Sequence, residues 1–270
     1  TVVCPAITSR ATMNVLVPAY VYPGDTPPYS TYWDKIVADA AIAKAVGFKL
    51  IVVVNPSNGD FTIVDPQYTA VIDRLDAAGA LVVGYVYSSW GARSSTQITA
   101  NIKSWRALYP KVKGIFFDEV QMDTAHYNYY WLLRRTIVQQ FGGEAFVIGN
   151  AHGAQLSYTR YRDVFDVTIA FEGTGGTLPS FVQQSLVRYA APRDIAYVVN
   201  TVGDYAAADA QSRACSILQS LRYSSASARN AGNWFLTTDT GANAYDTLGT
   251  EHDAMIEATC WANSLKVCPR

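Results

Sequence analysis

The sequence contains few charged residues and no run of a single charge. Charged residues make up 16% of the 270 residues, and 21 basic and 22 acidic side chains leave a formal net charge of −1. Without a cluster of lysine and arginine, the chain lacks the electrostatic footprint of a nucleic-acid-binding protein. A hydrophobic content of 50% excludes a disordered chain, which needs low hydrophobicity and high net charge.

Long hydrophobic runs are also missing. The longest runs, such as Leu50–Val54, have the length of a β-strand and fall far short of the ~18 apolar residues of a membrane span. We therefore predict no membrane partner. The chain begins at Thr1 rather than Met and has no signal-like apolar stretch, which we interpret as a processed or trimmed form.

The motifs of several enzyme classes are absent as well. The sequence has no GxSxG elbow, no Walker loop, no HExxH and no CxxC. Its three histidines, His126, His152 and His252, lack the spacing of metal ligands, so each is expected at the surface or supporting a site. We predict neither a metal nor an organic cofactor.

Cysteine is scarce, with one residue near the start of the chain, one in the last quarter and two near the end: Cys4, Cys215, Cys260 and Cys268. An even, sparse set of this kind favours two structural disulfides in a secreted protein, and the alternative is four buried thiols in a cytosolic one. We expect a monomer that is secreted, extracellular or associated with a cell wall.

What the sequence does contain is an alternation of two patterns. Strand-length apolar runs occupy Asn14–Tyr20, Lys49–Asn55, Ala80–Tyr87, Lys113–Asp118, Ala145–Asn150, Asp166–Glu172, Asp194–Asn200 and Asn233–Asp239. Helical periodicity lies between or after them, at Tyr32–Val46, Tyr127–Phe141, Ala206–Tyr223 and Glu251–Leu265. Glycines stand where helices are expected to end, at Gly47, Gly79, Gly142 and Gly232.

Eight strand–helix units in series predict an α/β fold, a single (β/α)8 TIM barrel over residues 1–270. The competing fold is an open doubly wound sheet. That fold needs a glycine-rich phosphate loop after the first strand, whereas Val21–Asp25 reads Val-Tyr-Pro-Gly-Asp. The barrel is therefore the favoured prediction.

The C-terminal ends of barrel strands carry the chemistry in this fold. Carboxylates, amides and aromatic rings stand at these ends and resemble a sugar-binding site: Tyr20, Tyr22, Asn55, Tyr85, Tyr87, Trp90, Asp118, Glu119, Asn150, His152, Glu172, Asn200 and Asp239. Alternation along the strands places Asp118 and Glu172 on the inward face, with Glu119 opening the next loop. A lone strand-end carboxylate such as Asp239 is often only a helix cap or a loop ion pair.

Six segments of the chain match a family pattern: VPAYVYP at Val17–Pro23, VVVNPSNG at Val52–Gly59, GYVYSSWGAR at Gly84–Arg93, GIFFDEV at Gly114–Val120, DVTIAFEG at Asp166–Gly173 and FLTTD at Phe235–Asp239. With them the chain resembles the spherulin 4 family, glycoside hydrolase family 135, over nearly its whole length. The resemblance implies a secreted endo-α-1,4-N-acetylgalactosaminidase that cuts galactosaminogalactan-type exopolysaccharide in biofilms. The family's essential acids fall on Asp118, Glu119 and Glu172.

Two loops depart from the family pattern. Gly59-Asp60-Phe61 replaces Gly-Pro-Gly, and Asn150-Ala151-His152-Gly153 replaces Asn-Pro-Gly. Both loops border the cleft, so a hydrolase of another amino-sugar polymer stays open. A non-catalytic carbohydrate-binding or spore-coat protein on the same barrel also stays open, although it does not require three acids.

Glycosidases use two carboxyl groups that flank the scissile bond. Strand spacing alone does not choose between a retaining and an inverting enzyme. If the substrate is α-linked N-acetylgalactosamine, its acetamido group is cis to the leaving group and cannot assist, so a retaining enzyme needs its own nucleophile. We then assign Asp118 as nucleophile and Glu172 as general acid/base, with Glu119 orienting one of them or binding the sugar.

Barrel closure also suggests a disulfide pairing. Cys4 precedes the first strand and Cys268 follows the last helix, while Cys215 and Cys260 lie on the last two helices. We therefore predict the bonds Cys4–Cys268 and Cys215–Cys260.

Overall fold

Eight parallel strands pair in chain order, and the last closes on the first, in the computed structural model of the protein. The structure describes residues 2, 4–5, 13–143, 145–152, 156–222, 229–264 and 268. The strands are β1 Asn14–Ala19, β2 Leu50–Val54, β3 Leu81–Tyr87, β4 Gly114–Asp118, β5 Phe146–Asn150, β6 Val167–Thr174, β7 Ile195–Asn200 and β8 Asn233–Leu236. The predicted TIM barrel is confirmed.

Helices cover most of the barrel's outer surface. They are α1 Tyr29–Val46, α2 Pro66–Ala78, α3 Ser95–Leu108, α4 Tyr127–Phe141, α5 Ser185–Arg188, α6 Ala210–Arg222 and α7 His252–Asn263. The returns after β5 and β6 depart from the regular alternation, since their described residues hold only 3₁₀ turns and the four-residue α5. Within the described ranges, none of the helices is both long and apolar enough to cross a membrane.

Local sequence explains where several helices begin and end. Asp65 caps α2 by accepting from the backbone N–H of Gln67 at 2.9 Å, and Ser94 forms a capping box at the start of α3. Gly47 and Gly79 end α1 and α2 in the left-handed conformation, as predicted.

The prediction that Gly232 ends a helix is wrong. Helix α6 ends at Arg222, and Gly232 directly precedes β8. A Cβ at this glycine would lie 2.3 Å from the carbonyl oxygen of Pro192, so close backbone approach explains the residue.

Packing between β3 and α3 fixes one strand that bears on the site. A Cβ on Gly84 would lie 2.4 Å from ring carbons of Trp105, so only glycine allows this helix to approach β3 so closely. The Trp105 indole N–H donates to the carbonyl oxygen of Tyr85 at 3.0 Å. The buried tryptophan therefore holds the backbone of the strand that carries Tyr85 to the barrel mouth.

Both predicted disulfide pairings are wrong. The bonds join Cys4 to Cys260, with Cα atoms 5.2 Å apart, and Cys215 to Cys268, with Cα atoms 5.9 Å apart. The four cysteines do form two disulfides, but the partners are exchanged.

The end of α7 explains the exchange. The side chain of Asn263 accepts from the backbone N–H of Met13 at 2.8 Å and donates to its carbonyl oxygen at 2.7 Å. These bonds hold the last turn of α7 beside the chain entering β1, so Cys260 meets Cys4 on the N-terminal segment. Although α6 and α7 are neighbours as predicted, Cys215 on α6 is left for Cys268.

Candidate active site

Asp118, the last residue of β4, accepts hydrogen bonds on both carboxylate oxygens. Oδ2 accepts from the hydroxyl of Tyr85 at 2.7 Å, and Oδ1 accepts from the side-chain amide of Asn150 at 3.0 Å. Oδ1 also accepts from the backbone N–H of Glu119 at 2.9 Å and lies 2.7 Å from Nε2 of His152. The ends of β3, β4 and β5 thus direct their donors at one carboxylate.

This environment stabilises the charged form of Asp118. Burial by itself raises the pKa of the carboxyl group, but the hydrogen bond and positive charge of His152 outweigh it, together with the donors Tyr85 and Glu119. The pKa of Asp118 therefore lies below its usual value, and the group is an ionised carboxylate at neutral pH.

Glu172, on β6, lies beside Asp118 in the barrel mouth, although a register shift between Ile169 and Phe171 interrupts the predicted alternation along this strand. The hydroxyl of Tyr245 donates to Oε1 at 2.5 Å, and the amide of Asn150 donates to Oε2 at 2.6 Å. Nδ1 of His152 lies 3.0 Å from the same Oε2. Asn150 therefore donates to both acids and fixes one relative to the other.

The separation of the two acids is informative about chemistry. An oxygen of Asp118, an oxygen of Glu172 and a ring nitrogen of His152 all lie within 4.8 Å of one another. Retaining glycosidases place their two carboxyl groups about 5–5.5 Å apart, and inverting enzymes about 6.5–9.5 Å apart to admit a water molecule. The separation of these two oxygens is closer to the spacing of a retaining pair than to that of an inverting pair.

His152 connects the two acids through both ring nitrogens. Burial lowers the pKa of the imidazole, but the hydrogen bond to Asp118 and the negative charges of Glu172, Asp118 and Glu119 raise it by more. The pKa therefore lies above the usual value, which favours the imidazolium form, and this form neutralises part of the charge of the acids. Sequence reasoning placed His152 at the rim as a sugar-binding residue and did not foresee this ion pair.

Asp118, His152 and Glu172 are also residue types that ligate metal ions, and they lie close enough together to do so. The direction of the contacts argues for a different arrangement. Nε2 of His152 lies 2.7 Å from Asp118, and Nδ1 lies 3.0 Å from Glu172. A histidine that binds a metal instead needs one unprotonated nitrogen directed at the metal position that it shares with the other ligands. The geometry fits a hydrogen-bonded ion pair.

Glu119 follows Asp118 with a left-handed backbone at φ 53°. Its carbonyl oxygen accepts from the backbone N–H of Trp90 at 2.7 Å and from the hydroxyl of Ser88 at 2.7 Å, which ties the β4 loop to the β3 loop. Within the part of the chain that the structure describes, its carboxylate has no hydrogen-bond partner. Glu119 is therefore the one predicted acid whose side chain is free for a ligand.

Backbone strain is concentrated at the barrel mouth. Of the eight described non-glycine residues with positive φ, all but Asn230 lie in loops that follow strands: Ser57, Asn58, Ser89, Trp90, Glu119, His152 and Thr201. Such conformations cost about 1–3 kcal/mol each and persist where surrounding contacts over-determine them, commonly at functional sites. The clustering marks the C-terminal mouth independently of its acids.

Three tyrosines form the floor of the site. The ring of Tyr20 lies 5.5 Å from that of Tyr85 and 5.7 Å from that of Tyr245, both edge to face. Burial and the nearby carboxylates raise the pKa of all three hydroxyl groups, so they stay protonated as donors. Sequence reasoning missed Tyr245, which lies in the loop after β8, where no periodicity or motif distinguishes it.

Two predicted ring-stacking residues border the acids. Trp90 is 42% exposed, and its ring lies 5.6 Å from that of His152. The guanidinium of Arg93 covers one face of Tyr87 at 4.0 Å, and the partly buried ring also packs against the core. The β3 loop therefore brings an exposed indole beside His152, which contacts both acids.

Two other predicted residues have partners away from the acids. Tyr22 is 49% exposed and packs edge to face on Tyr68, with ring centroids 5.9 Å apart. The amide of Asn55 donates to Asn58 at 3.4 Å within its own loop. Both stand on the rim, but the structure does not join them to the acid pair.

The last two predicted residues support the loop that carries Tyr245. The amide of Asn200 donates to the hydroxyl of Tyr245 at 3.4 Å. The carboxylate of Asp239 accepts from the backbone N–H of Thr240 at 2.9 Å and from both the N–H and the hydroxyl of Thr247 at 3.0 Å. Asp239 therefore organises the β8 loop, and Asn200 reaches the site through Tyr245.

We expect the His152→Ala variant to shift the acidic limb of the pH–activity profile to higher pH. Removing the imidazolium takes away the strongest influence that lowers the pKa of Asp118, so this carboxylate becomes protonated at a higher pH than in the wild type. The measurement is kcat/KM against pH, which reports groups of the free enzyme.

The matched control is His126→Ala. This histidine pairs with Asp123, with its Nδ1 at 2.8 Å from the carboxylate, outside the acid pair. The His126→Ala variant should leave the acidic limb of the pH–activity profile in place. An unshifted limb in His152→Ala would contradict the contribution of the ion pair.

Comparison with known proteins finds a family match and relatives in sequence and in fold. The model of the family described as Spherulation-specific family 4 (Spherulin4) matches residues 14–259. Spherulin-4 of Physarum polycephalum is 38% identical over 124 residues, which cover 46% of this chain and 34% of that protein. The match thus spans about a third of the length of this curated relative.

The crystal structure of Aspergillus clavatus Sph3 in complex with GalNAc is similar in fold. It matches with a TM-score of 0.72 and 20% sequence identity, covering 93% of this chain and 98% of that chain. The likeness extends over the whole barrel.

Proposed function

The chain belongs to Spherulation-specific family 4, the Spherulin4 family, and on this premise we propose that it is a secreted, endo-acting, retaining glycoside hydrolase. Its proposed substrate is an exopolysaccharide with α-1,4-linked N-acetylgalactosamine or galactosamine, of the galactosaminogalactan type. The observation that carries the proposal is the acid pair at the barrel mouth, with atoms of Asp118 and Glu172 within 4.8 Å.

Asp118 has the properties of a nucleophile. Its lowered pKa keeps it ionised, and the donors Tyr85 and Asn150 hold it in place. In the proposed first step a carboxylate oxygen of Asp118 forms a bond to the anomeric carbon. The carboxylate of Glu172 takes up a proton when the bound sugar displaces the charged ring of His152 from it. The bond to the leaving sugar then breaks, and its electron pair stays on the glycosidic oxygen, which takes this proton from Glu172.

Glu172 acts in both halves of the proposed reaction. After donating its proton, it is a carboxylate that removes a proton from a water molecule. The water oxygen then attacks the anomeric carbon and displaces Asp118, which restores both acids. Because the ring of His152 lies against both carboxylates, an entering sugar displaces it from this position.

The choice of sugar rests on family membership and on the fold relative. The solved Sph3 structure is a complex with GalNAc. In an α-linked residue of this sugar, the acetamido group is cis to the leaving group and cannot attack from the opposite face. An enzyme nucleophile is then required, and the free carboxylate of Glu119 is placed to accept a hydrogen bond from a sugar hydroxyl or the acetamido N–H.

Secretion is part of the proposal. Two disulfides are typical of proteins that fold in an oxidising compartment. We propose that the protein acts outside the cell or at the cell wall as a monomer. Light scattering of the purified protein and analysis of the culture medium test these two statements separately.

The test of the proposed function is digestion of purified galactosaminogalactan, with the products separated by size. We expect a ladder of α-1,4-linked oligosaccharides from internal cleavage. Hydrolysis of a different amino-sugar polymer, with galactosaminogalactan left intact, would replace the proposed substrate. Binding of the polymer without cleavage would favour the carbohydrate-binding or spore-coat alternative and would contradict an enzymatic role.

We expect the Trp90→Ala variant to bind long oligosaccharides less tightly while its affinity for a single sugar changes little. The exposed indole beside His152 provides a surface on which a sugar next to the cleaved residue can stack. A loss of about 0.5–1.5 kcal/mol, or about two- to twelvefold in affinity, is expected for one stacked ring.

The matched control is Trp131→Ala, an indole that is 37% exposed on α4. Calorimetric titration in a Glu172→Gln background, where the ligand is not consumed, compares an α-1,4-linked N-acetylgalactosamine heptamer with the monosaccharide. Equal losses for both ligands, or release of monosaccharide only from chain ends, would contradict the open-groove arrangement.

A further inference from the structure

We propose that a groove beside β1 and β8 is a distal subsite for the same polysaccharide, several sugar units from the cleaved bond. This inference rests on the proposed function and extends it to a surface that sequence reasoning did not select. We call this surface the β1–β8 groove. Its volume is about 740 Å³, and its walls include Pro27, Pro28, Tyr29, Tyr32, Thr247 and Leu248.

The groove adjoins the floor of the candidate active site. Val21 and Asp246 line the groove, and each directly follows a tyrosine of that floor, Tyr20 and Tyr245. The rings of the two tyrosines touch at 5.7 Å, and Tyr245 donates to Glu172. The two loops that build the groove together with the first turns of α1 are therefore continuous in sequence with the tyrosines of the floor.

The position of the groove suits a chain that crosses the barrel mouth. In a closed barrel of eight strands in chain order, the β8–β1 junction lies opposite the β4–β5 junction. The β4–β5 junction carries Asp118 at the end of β4 and His152 after β5, and Trp90 lies beside it in the loop after β3. A polysaccharide that stacks on Trp90 and passes over the acids therefore reaches the β1–β8 groove on the far side of the mouth.

The lining of the groove matches the chemistry of a pyranose chain. Proline rings and the side chain of Tyr29, which is 45% exposed, provide flat apolar surfaces for the faces of sugar rings. Thr247 and Asp246 lie among them, and although both hydrogen-bond to Asp239, their oxygens can still accept from sugar hydroxyls. A volume of about 740 Å³ falls within the range of about 300–1,000 Å³ found for ligand sites.

Charge also favours an uncharged or cationic sugar chain over an anionic partner. The carboxyl groups of Asp239 and Asp246 hydrogen-bond to each other beside the groove, and burial together with Asp239 raises the pKa of Asp246. The positive charge of Lys35, at the other wall, is paired with Asp39 and Asp253. Because the charge of Lys35 is already paired, an anionic ligand would meet the carboxyl groups of Asp239 and Asp246 without a free positive charge from Lys35 to attract it.

The experiment compares the binding of long and short ligands by two groove variants. Tyr29→Ala removes the exposed ring, and Thr31→Trp fills the groove from an exposed position on α1. Each is titrated calorimetrically with an α-1,4-linked N-acetylgalactosamine heptamer and dimer, and melting curves confirm the fold. We expect both variants to bind the heptamer about three- to tenfold more weakly than the wild type and the dimer equally well.

The matched control is Tyr189→Ala, which removes a tyrosine that is 68% exposed and does not line the groove. It should bind both ligands as the wild type does. Wild-type affinity for the heptamer in both groove variants would overturn the subsite while leaving the proposed function intact. A wild type that dimerises, with groove variants that do not and whose heptamer affinity is unchanged, would also overturn the subsite. The groove would then be an interface between two copies of the chain.

Failure of the proposed function has a different signature. If the wild type binds neither the heptamer nor the dimer, the substrate is wrong and the subsite falls with it. All titrations are made in a Glu172→Gln background, so that cleavage does not consume the ligand while its binding is measured.

Discussion

The Glu172→Gln variant should lose at least about 10²–10⁴-fold of the hydrolytic rate and keep the melting temperature of the wild type. Glutamine has the size of glutamate and still accepts from Tyr245, but it cannot give a proton to the glycosidic oxygen. Turnover and thermal unfolding are measured on the same sample, so that a catalytic defect is separated from misfolding. Near-normal turnover would remove Glu172 from the mechanism.

The Asp118→Asn variant should lose more, about 10⁴–10⁶-fold, because no covalent intermediate can form on the amide. The conserved size of the side chain keeps the contact with Tyr85, although the ion pair with His152 is lost. Asp73→Asn, at an exposed position on α2, is the control for an acid-to-amide change and should retain full activity. Substantial turnover by Asp118→Asn would exclude this residue as nucleophile.

Sodium azide separates the two roles. In Asp118→Asn, azide can take the place of the missing nucleophile and attack the anomeric carbon directly, so the product is a β-glycosyl azide. In Glu172→Gln, azide attacks the glycosyl enzyme formed on Asp118, and the product is an α-glycosyl azide. The opposite pair of products would exchange the two assignments.

The barrel and its two inward acids could be predicted because both depend on local pattern. Eight strand-length apolar runs that alternate with helical segments predict a parallel sheet that closes into a (β/α)8 barrel. Strand alternation places Asp118 on the inward face. The strand-end position of Glu172 indicates the mouth, although a register shift between Ile169 and Phe171 interrupts the alternation of β6 before it. The closeness of the two acids follows from the convergence of parallel strand ends, which needs no knowledge of loop structure.

The remaining features depend on loops and chain ends, where spacing carries no such information. Tyr245 reaches Glu172 only because Asp239 folds the β8 loop over the mouth. His152 contacts both acids because its backbone is left-handed. The local sequence Ala151-His152-Gly153 does not predict this backbone conformation at the histidine. The predicted disulfide partners are wrong because Asn263 binds the end of α7 to the chain before β1, a contact between residues 250 positions apart in the sequence.

The central claim is retaining cleavage of an α-1,4-linked N-acetylgalactosamine chain by Asp118 and Glu172. It is tested most directly by proton NMR of the first products released from an α-1,4-linked N-acetylgalactosamine heptamer. The account predicts that the new reducing ends appear first as the α-anomer, with the β-anomer growing later by mutarotation. Appearance of the β-anomer first would show inversion, and an unchanged heptamer would show that this polymer is not the substrate; either result would contradict the account.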